Sequence, residues 1–311
     1  MPQKNQGCAV SAVILTRYAG AFKKTTGPVS ATGVGNAMPA IAICAPSRSL
    51  TPDDAAQVTA LAADFPSLEL HFHPQCFHNE GHFAGSDAQR LAALLECTND
   101  PAFAAVWFAR GGYGAARIAA DALAGLGAAA ASKSYLGYSD GGTLLAGLYA
   151  RGIGRQVHAP MPTDIRREGG EAAVRRTLGW LTGDTAGLEP GLDARPSIAF
   201  NLTTLAMLCG TKLMPDLTGH VVLIEEVSEY DYAVDRLFFH VTAHLSGIAG
   251  LRLGRVSAVP ENEVQFGYSP EQIAQYWCAR TGIAYLGRAD IGHDANNKIV
   301  PFGLAATRCA Q

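Results

Sequence analysis

Two stretches decide the fold: Ala104–Leu123, AAVWFARGGYGAARIAADAL, and Tyr135–Ala150, YLGYSDGGTLLAGLYA. In each, an apolar run ends in a glycine-rich turn and a helix-forming run follows. Residues 104–109 and Tyr135-Leu136 are short, apolar and bounded by turn residues, the pattern of buried strands. Ala115–Leu123 and Thr143–Ala150 are rich in Ala and Leu, which favour helix. Strand, turn and helix repeated in this way imply βαβ units and a parallel sheet. Such sheets bind ligands beyond the carboxyl ends of their strands. The turns at 110–114 and 137–142 are therefore expected to open on one edge of the sheet.

Working outward, Ala40–Cys44 (AIAIC) reads as another buried strand. A helix follows it, with Thr51 as N-cap and Pro52 at the first helical position. Leu68–Phe72 reads as a strand and Asp87–Leu95 as a helix. An acid- and Arg-rich helical stretch begins near residue 164, and Gly183–Pro196 reads as a linker. Beyond it come strand candidates at Gly219–Glu226, Leu251–Val256 and Ile283–Leu286, with an amphipathic helix over Val234–His244. The expectation is an α/β chain. An N-terminal parallel-sheet domain of flavodoxin or glutamine-amidotransferase type covers 38–164. A connecting helix and linker cover 165–196, and a smaller C-terminal α/β domain covers 197–311.

The bulk numbers narrow the function classes. Of 311 residues, 48% are apolar and 16% charged, which supplies a large core and excludes a disordered chain. A net charge of -3 points to no nucleic-acid partner. No apolar run is long enough to span a bilayer. The seven cysteines are odd in number and form no CxxC pair, so they read as reduced thiols. The first 37 residues carry Lys4, Arg17, Lys23 and Lys24 and no acidic residue. That composition suits a secretory or organelle-targeting segment. We read it as an extension outside the fold, because Met38 opens a fresh domain start.

Gly137-Tyr138-Ser139-Asp140-Gly141 fits G-x-S-x-G. A sharp strand-to-helix turn of this kind lifts a serine hydroxyl clear of the sheet. The helix after it aims free N–H groups at the site, which suits a developing oxyanion. Arg110-Gly111-Gly112-Tyr113-Gly114 could bring a second N–H close. It equally suits a plain tight turn or a phosphate cradle, although no P-loop Lys follows. A serine nucleophile needs a base. His71, His73, His78 and His82 fit no zinc spacing, so no metal is expected. His240 and His244 stand one helical turn apart and read as a packed or exposed pair. His293 sits in the glycine-bearing loop Asp290–Asp294 after a strand, a common place for a functional histidine. Glu225 and Glu226 end an apolar strand. One could orient the base, or the strand could simply emerge into solvent.

Taken in order, these segments resemble a known family. RGGYG, GYSDGG, Asn201–Leu205 (NLTTL), Gly210–Asp216 (GTKLMPD), Leu223–Glu226 (LIEE), Tyr232–Arg236 (YAVDR) and Gly292-His293 are together similar to the LD-carboxypeptidase (serine peptidase S66) family. The likeness covers about residues 38–311. It implies a Ser-Glu-His triad of Ser139, Glu225 and His293, with Glu226 as a non-catalytic acid. It also implies an oxyanion hole from the backbone N–H of Gly112 and Asp140. The activity implied is hydrolysis of the amide between an L-centre and terminal D-Ala in murein tetrapeptides. That is a cytoplasmic cell-wall recycling step, carried out by a homodimer without a cofactor. Because the substrate ends in a carboxylate, Arg110, with Gly111 beside it, is the expected substrate-binding position. Gly141-Gly142-Thr143 is looser than the bulkier residues the family has after its serine.

Within the family, the alternative is an immunity-type peptidase cleaving acyl or peptidyl adenylates with the same triad. An ordinary α/β-hydrolase esterase predicts a single domain and an HGGG-type oxyanion motif, which the sequence lacks. A flavodoxin-like phosphate-binding module predicts no labelling of Ser139 by a serine-reactive probe.

Overall fold

The computed structural model describes residues 39–303; the extension read over residues 1–37 lies outside them. The first sheet is built from β1 (Ala40–Cys44), β2 (Glu69–Phe72), β3 (Phe103–Phe108), β4 (Ser134–Gly137), β5 (Arg155–His158) and β10 (Val300–Pro301). Its order is β10-β5-β4-β3-β1-β2. Five strands are parallel, and β10 runs antiparallel against β5. The chain moves outward from β1 to β2 and then returns to place β3, β4 and β5 on the other side. The order therefore reverses between β1 and β3, where doubly wound sheets open a ligand crevice.

Helices α1 (Pro52–Ala62), α2 (Asp87–Asn99), α3 (Ala115–Ala124), α4 (Gly142–Ala150) and α5 (Gly170–Leu181) cover this sheet. Thr51 caps α1 in a reciprocal capping box with Asp54. Alternate residues of the strands enter different cores. Ala42, Cys44, Val106 and Phe108 join one, while Ile41, Ile43, Ala105 and Trp107 join the other. Both faces are buried, so these strands read as unbroken apolar runs.

The second sheet is wholly parallel, in the order β6 (Ser197–Asn201), β7 (Val221–Val227), β8 (Gly250–Ser257), β9 (Tyr285–Arg288). Helices α6 (Leu202–Leu208), α7 (Asp231–His244) and α8 (Pro270–Thr281) accompany it. One apolar cluster runs through both sheets, joining Phe108, Tyr138 and Leu144 to Phe200, Leu205, Ile224 and Phe302. The segment 183–196 has irregular backbone, but Glu189 within it is buried. Glu189 accepts from Arg252 Nη1 at 2.6 Å and from the N–H of Asp290 at 3.0 Å. No helix among the described residues is long and apolar enough to cross a membrane.

Candidate active site

The site begins at the end of β4. Ser139 has φ 57°, a left-handed conformation that is costly for a residue with a Cβ. Such strain persists where the surroundings over-determine the backbone. Here Tyr138 is extended and residues 139–141 form one tight turn that leads directly into α4. Phe108 packs beneath this turn. A Cβ on Gly137 would lie 2.9 Å from the Phe108 ring, so the motif's first glycine is a matter of space.

Asp140 does more than follow the serine. Its Oδ2 accepts from Ser47 Oγ at 2.5 Å and from the N–H of Ala115 at 2.8 Å. One buried carboxylate thus ties the loop after β1 and the start of α3 to the serine turn. Burial pushes the Asp140 carboxyl above its ordinary value, and the two hydrogen bonds oppose that. Arg90, fully buried on α2, donates to the carbonyls of Pro46 and Gly114 and joins the same two loops.

Gly111 presses against the serine. A Cβ there would stand 2.8 Å from both Ser139 Cβ and Ser139 Oγ. Gly112, with φ 107°, presses the other way: its Cβ would fall 2.3 Å from Arg48 Cδ. Ser139, Gly111, Gly112, Arg110 and His293 line one cleft of about 570 Å³.

His293 reaches this cleft from the loop after β9. Its Nδ1 lies 2.6 Å from Glu225 Oε2. Glu225 is fully buried at the end of β7. The register of β7 against β8 slips between Ile224 and Glu226, so that Gly254 and Arg255 of β8 stand opposite the single residue Glu225. A Cβ on Gly254 would meet Ile291 O at 2.7 Å and Glu225 Cβ at 2.9 Å. Gly254→Ala is therefore expected to push the histidine loop away. A displacement near 1 Å costs about 100-fold in rate, so turnover assays should show a fall in kcat larger than any change in KM. Wild-type kcat in a folded Gly254→Ala protein would sink this account of the loop.

The histidine loop is held from both sides. Arg255 on β8 donates to Asp290 at 2.5 Å and to Asp294. Arg176 on α5 donates to the carbonyls of Ala295 at 3.0 Å and Asn297 at 2.8 Å. Asn297 Oδ1 accepts from the N–H of Gly292 at 3.1 Å and faces His158 Nε2 at 3.0 Å. Burial pushes His158 down to about 4, so it is neutral near pH 7. An acceptor already pointing at Gly292 N–H requires the proton on His158 Nε2. Tyr138 packs against the His293 ring at 4.9 Å between centroids. Its hydroxyl donates to Asp164 at 2.8 Å, and Asp164 accepts from Arg167 Nε at 2.8 Å.

Burial alone would lower the His293 pKa. The charge and hydrogen bond of Glu225 outweigh it and hold the imidazole above its ordinary value. Ser139 and His293 share the cleft without a direct hydrogen bond between them among the described residues.

Glu226 faces elsewhere. It accepts from Asn201 Nδ2 at 2.6 Å, Thr203 N–H and Oγ1 at 2.8 Å each, and Val227 N–H at 2.8 Å. It anchors the first turn of α6, where a carboxylate also suits the helix dipole. His71, His73, His78, His82, His240 and His244 do not line the cleft. His73 meets Glu96 at 3.1 Å and His71 meets Glu69 at 3.1 Å. His240 and His244 pack ring to ring on the exposed face of α7. No cluster of three metal-binding side chains occurs among the described residues.

Sequence reasoning did not find Arg48, Ser47, Arg90, Tyr138, His158, Asp164 or Asn297. One signal was available. The tetrapeptide RQVH at 155–158 is too polar for a buried strand unless its polar groups meet partners from elsewhere in the chain.

The chain is similar to known proteins along most of its length. The LD-carboxypeptidase N-terminal domain matches residues 41–159, and the LD-carboxypeptidase C-terminal domain matches residues 196–307. A Synechocystis sp. protein that carries a carboxypeptidase name is 32% identical over 75% of this chain and 79% of its own. A Pseudomonas aeruginosa protein named murein tetrapeptide carboxypeptidase is 25% identical, over 86% and 92%. The solved structure of the microcin C7 self-immunity protein MccF with aspartyl sulfamoyl adenosine shares the fold. It has a TM-score of 0.70 and 17% identity, covering 89% of this chain and 94% of that one. Two domain matches in the expected order, together with the cyanobacterial relative, establish that this chain belongs to the LD-carboxypeptidase family of peptidases.

Proposed function

We propose that the chain is a serine-type LD-carboxypeptidase that releases terminal D-Ala from murein tetrapeptides. The observation that carries this is the 2.6 Å pair of His293 Nδ1 and buried Glu225, opening on the cleft that Ser139 lines. Ser139 Oγ attacks the carbonyl of the L-centre while His293 Nε2 takes its proton. Glu225 holds the ring in the right tautomer and stabilises the imidazolium. Backbone N–H groups of Gly112 and Asp140 bind the oxyanion, each worth about 10²–10³ in rate. His293 then gives its proton to the leaving D-Ala amine, and water resolves the acyl-enzyme. The serine–histidine hydrogen bond tightens in the Michaelis complex, where the attacking hydroxyl and its base are drawn into reach. The cytoplasm, where murein fragments are recycled, is the proposed setting, and a homodimer the proposed assembly.

Mass-spectrometric detection of D-Ala from a disaccharide-tetrapeptide tests this reading. The MccF likeness supports a second one, cleavage of a peptidyl or acyl adenylate by the same triad. Assaying both substrates side by side separates them: release of D-Ala supports the first, and exclusive turnover of the adenylate overturns it.

The pH profile gives an independent check. A base must be unprotonated, and Glu225 raises the His293 pKa. Activity is therefore absent below that pKa and appears as pH climbs through it. The acid limb of kcat/KM is expected above the ordinary histidine value of about 6.5, and Glu225→Gln should move it down. A wild-type limb well below 6.5 would contradict this role for His293.

A further inference from the structure

Four guanidinium groups line the cleft, from Arg48, Arg110, Arg166 and Arg167. Two are neutralised. Arg166 Nε donates to Asp54 at 2.7 Å, and Arg167 Nε donates to Asp164 at 2.8 Å. Arg48 and Arg110 have no carboxylate partner among the described residues. Arg110 Nη1 donates only to an uncharged acceptor, the carbonyl of Ser49, at 3.0 Å. Burial, then the positive charges of Arg48 and Arg166, hold the Arg110 guanidinium below its ordinary value. Like charges brought together in a partly buried cleft repel one another, and an arriving anion relieves that repulsion.

The position of the pair relative to Ser139 indicates what kind of anion it receives. Gly111 abuts Ser139 Oγ, and its neighbour Gly112 abuts the Arg48 side chain. One dipeptide thus separates the hydroxyl from Arg48. Arg110 immediately precedes that dipeptide. The loops carrying the two arginines follow β1 and β3, the adjacent strands where the sheet order reverses. A terminal carboxylate lies only a few bonds from the scissile carbonyl of a carboxypeptidase substrate. Guanidinium forks bind carboxylates in a bidentate manner.

We propose that Arg48 and Arg110 together form an anion subsite on the leaving-group side of the cleft, which reads the terminal carboxylate of the substrate. This rests on the carboxypeptidase reading above. The phosphoryl group of an adenylate-type leaving group presents the same chemistry, so the test includes both sources.

The experiment compares wild type, Arg48→Gln, Arg110→Gln and the double variant. Each is assayed on a murein tetrapeptide, on the same peptide ending in D-Ala carboxamide, and on a peptidyl-adenylate. Labelling of Ser139 by a fluorophosphonate probe monitors the nucleophile in every variant. Wild type is expected to prefer the free acid strongly. Each single substitution should lower the acid-over-amide ratio of kcat/KM by roughly 10- to 100-fold, in line with lost charge-assisted hydrogen bonds, and chiefly through KM. Retention of the wild-type ratio by labelled Arg48→Gln overturns the subsite and leaves the carboxypeptidase reading standing. If wild type releases nothing from either peptide, that reading falls. Adenylate turnover that collapses in the Arg variants would then assign the subsite to a phosphoryl group, whereas turnover indifferent to them would overturn it.

Discussion

Ser139→Ala is expected to lower kcat by about 10⁶-fold, the scale seen when a triad nucleophile is removed. The substitution deletes one oxygen from a partly exposed side chain. The contact made by Thr204 Oγ1, at 3.3 Å, is to the Ser139 carbonyl and survives. Alanine meets the same left-handed backbone cost as serine. Stability should therefore stay within about 0.5 kcal/mol of wild type. Paired measurements of D-Ala release and thermal unfolding check this. A folded Ser139→Ala protein with wild-type turnover would end the serine mechanism.

Glu225→Gln is expected to cost about 10⁴-fold in kcat, comparable to neutralising the orienting carboxylate of other serine triads. A glutamine amide can turn its NH₂ toward Nδ1, which favours the tautomer with its proton on Nε2, where the serine needs an acceptor. Glu226→Gln provides the contrast. Its neighbours are the start of α6 and the N–H of Val227, so the change should show first as lost stability, on the order of 1–3 kcal/mol for disturbed buried bonds. A larger kcat loss at Glu226 than at Glu225 would reverse the two roles. Thr204 in α6 touches the Ser139 carbonyl, so a small kinetic effect of Glu226→Gln is compatible with its structural role.

The three residues proposed as the triad are far apart in sequence and come together for separable reasons. Ser139 was legible because a strand end, two glycines and a helix start form a local pattern. His293 was legible as a loop histidine next to glycine. The choice between Glu225 and Glu226 rested on resemblance alone, because adjacent residues of a strand point to opposite faces and either face could have met the histidine. Tertiary packing separates them: the slipped register of β7 on β8 and the space left by Gly254 bring the Ile291–His293 loop to Glu225.

Several elements escaped sequence reading for physical reasons. β5 looks polar, yet Gln156 and His158 are buried because Ile153 O and Asn297 supply partners. β10 is two residues long and exists only because it lies against β5. The cysteines Cys44, Cys76, Cys97, Cys209 and Cys278 are unpaired, in keeping with their scattered spacing.

The sequence by itself determined the parallel sheet, the edge on which the glycine turns open and the serine turn, because these follow from short-range periodicity and turn chemistry. Only the tertiary structure decided which carboxylate meets His293, which arginines remain without a counter-charge, and how Asp140 and Arg90 join the loops of β1 and β3. Those outcomes depend on contacts between segments distant in the chain, and local patterns carry no record of such contacts.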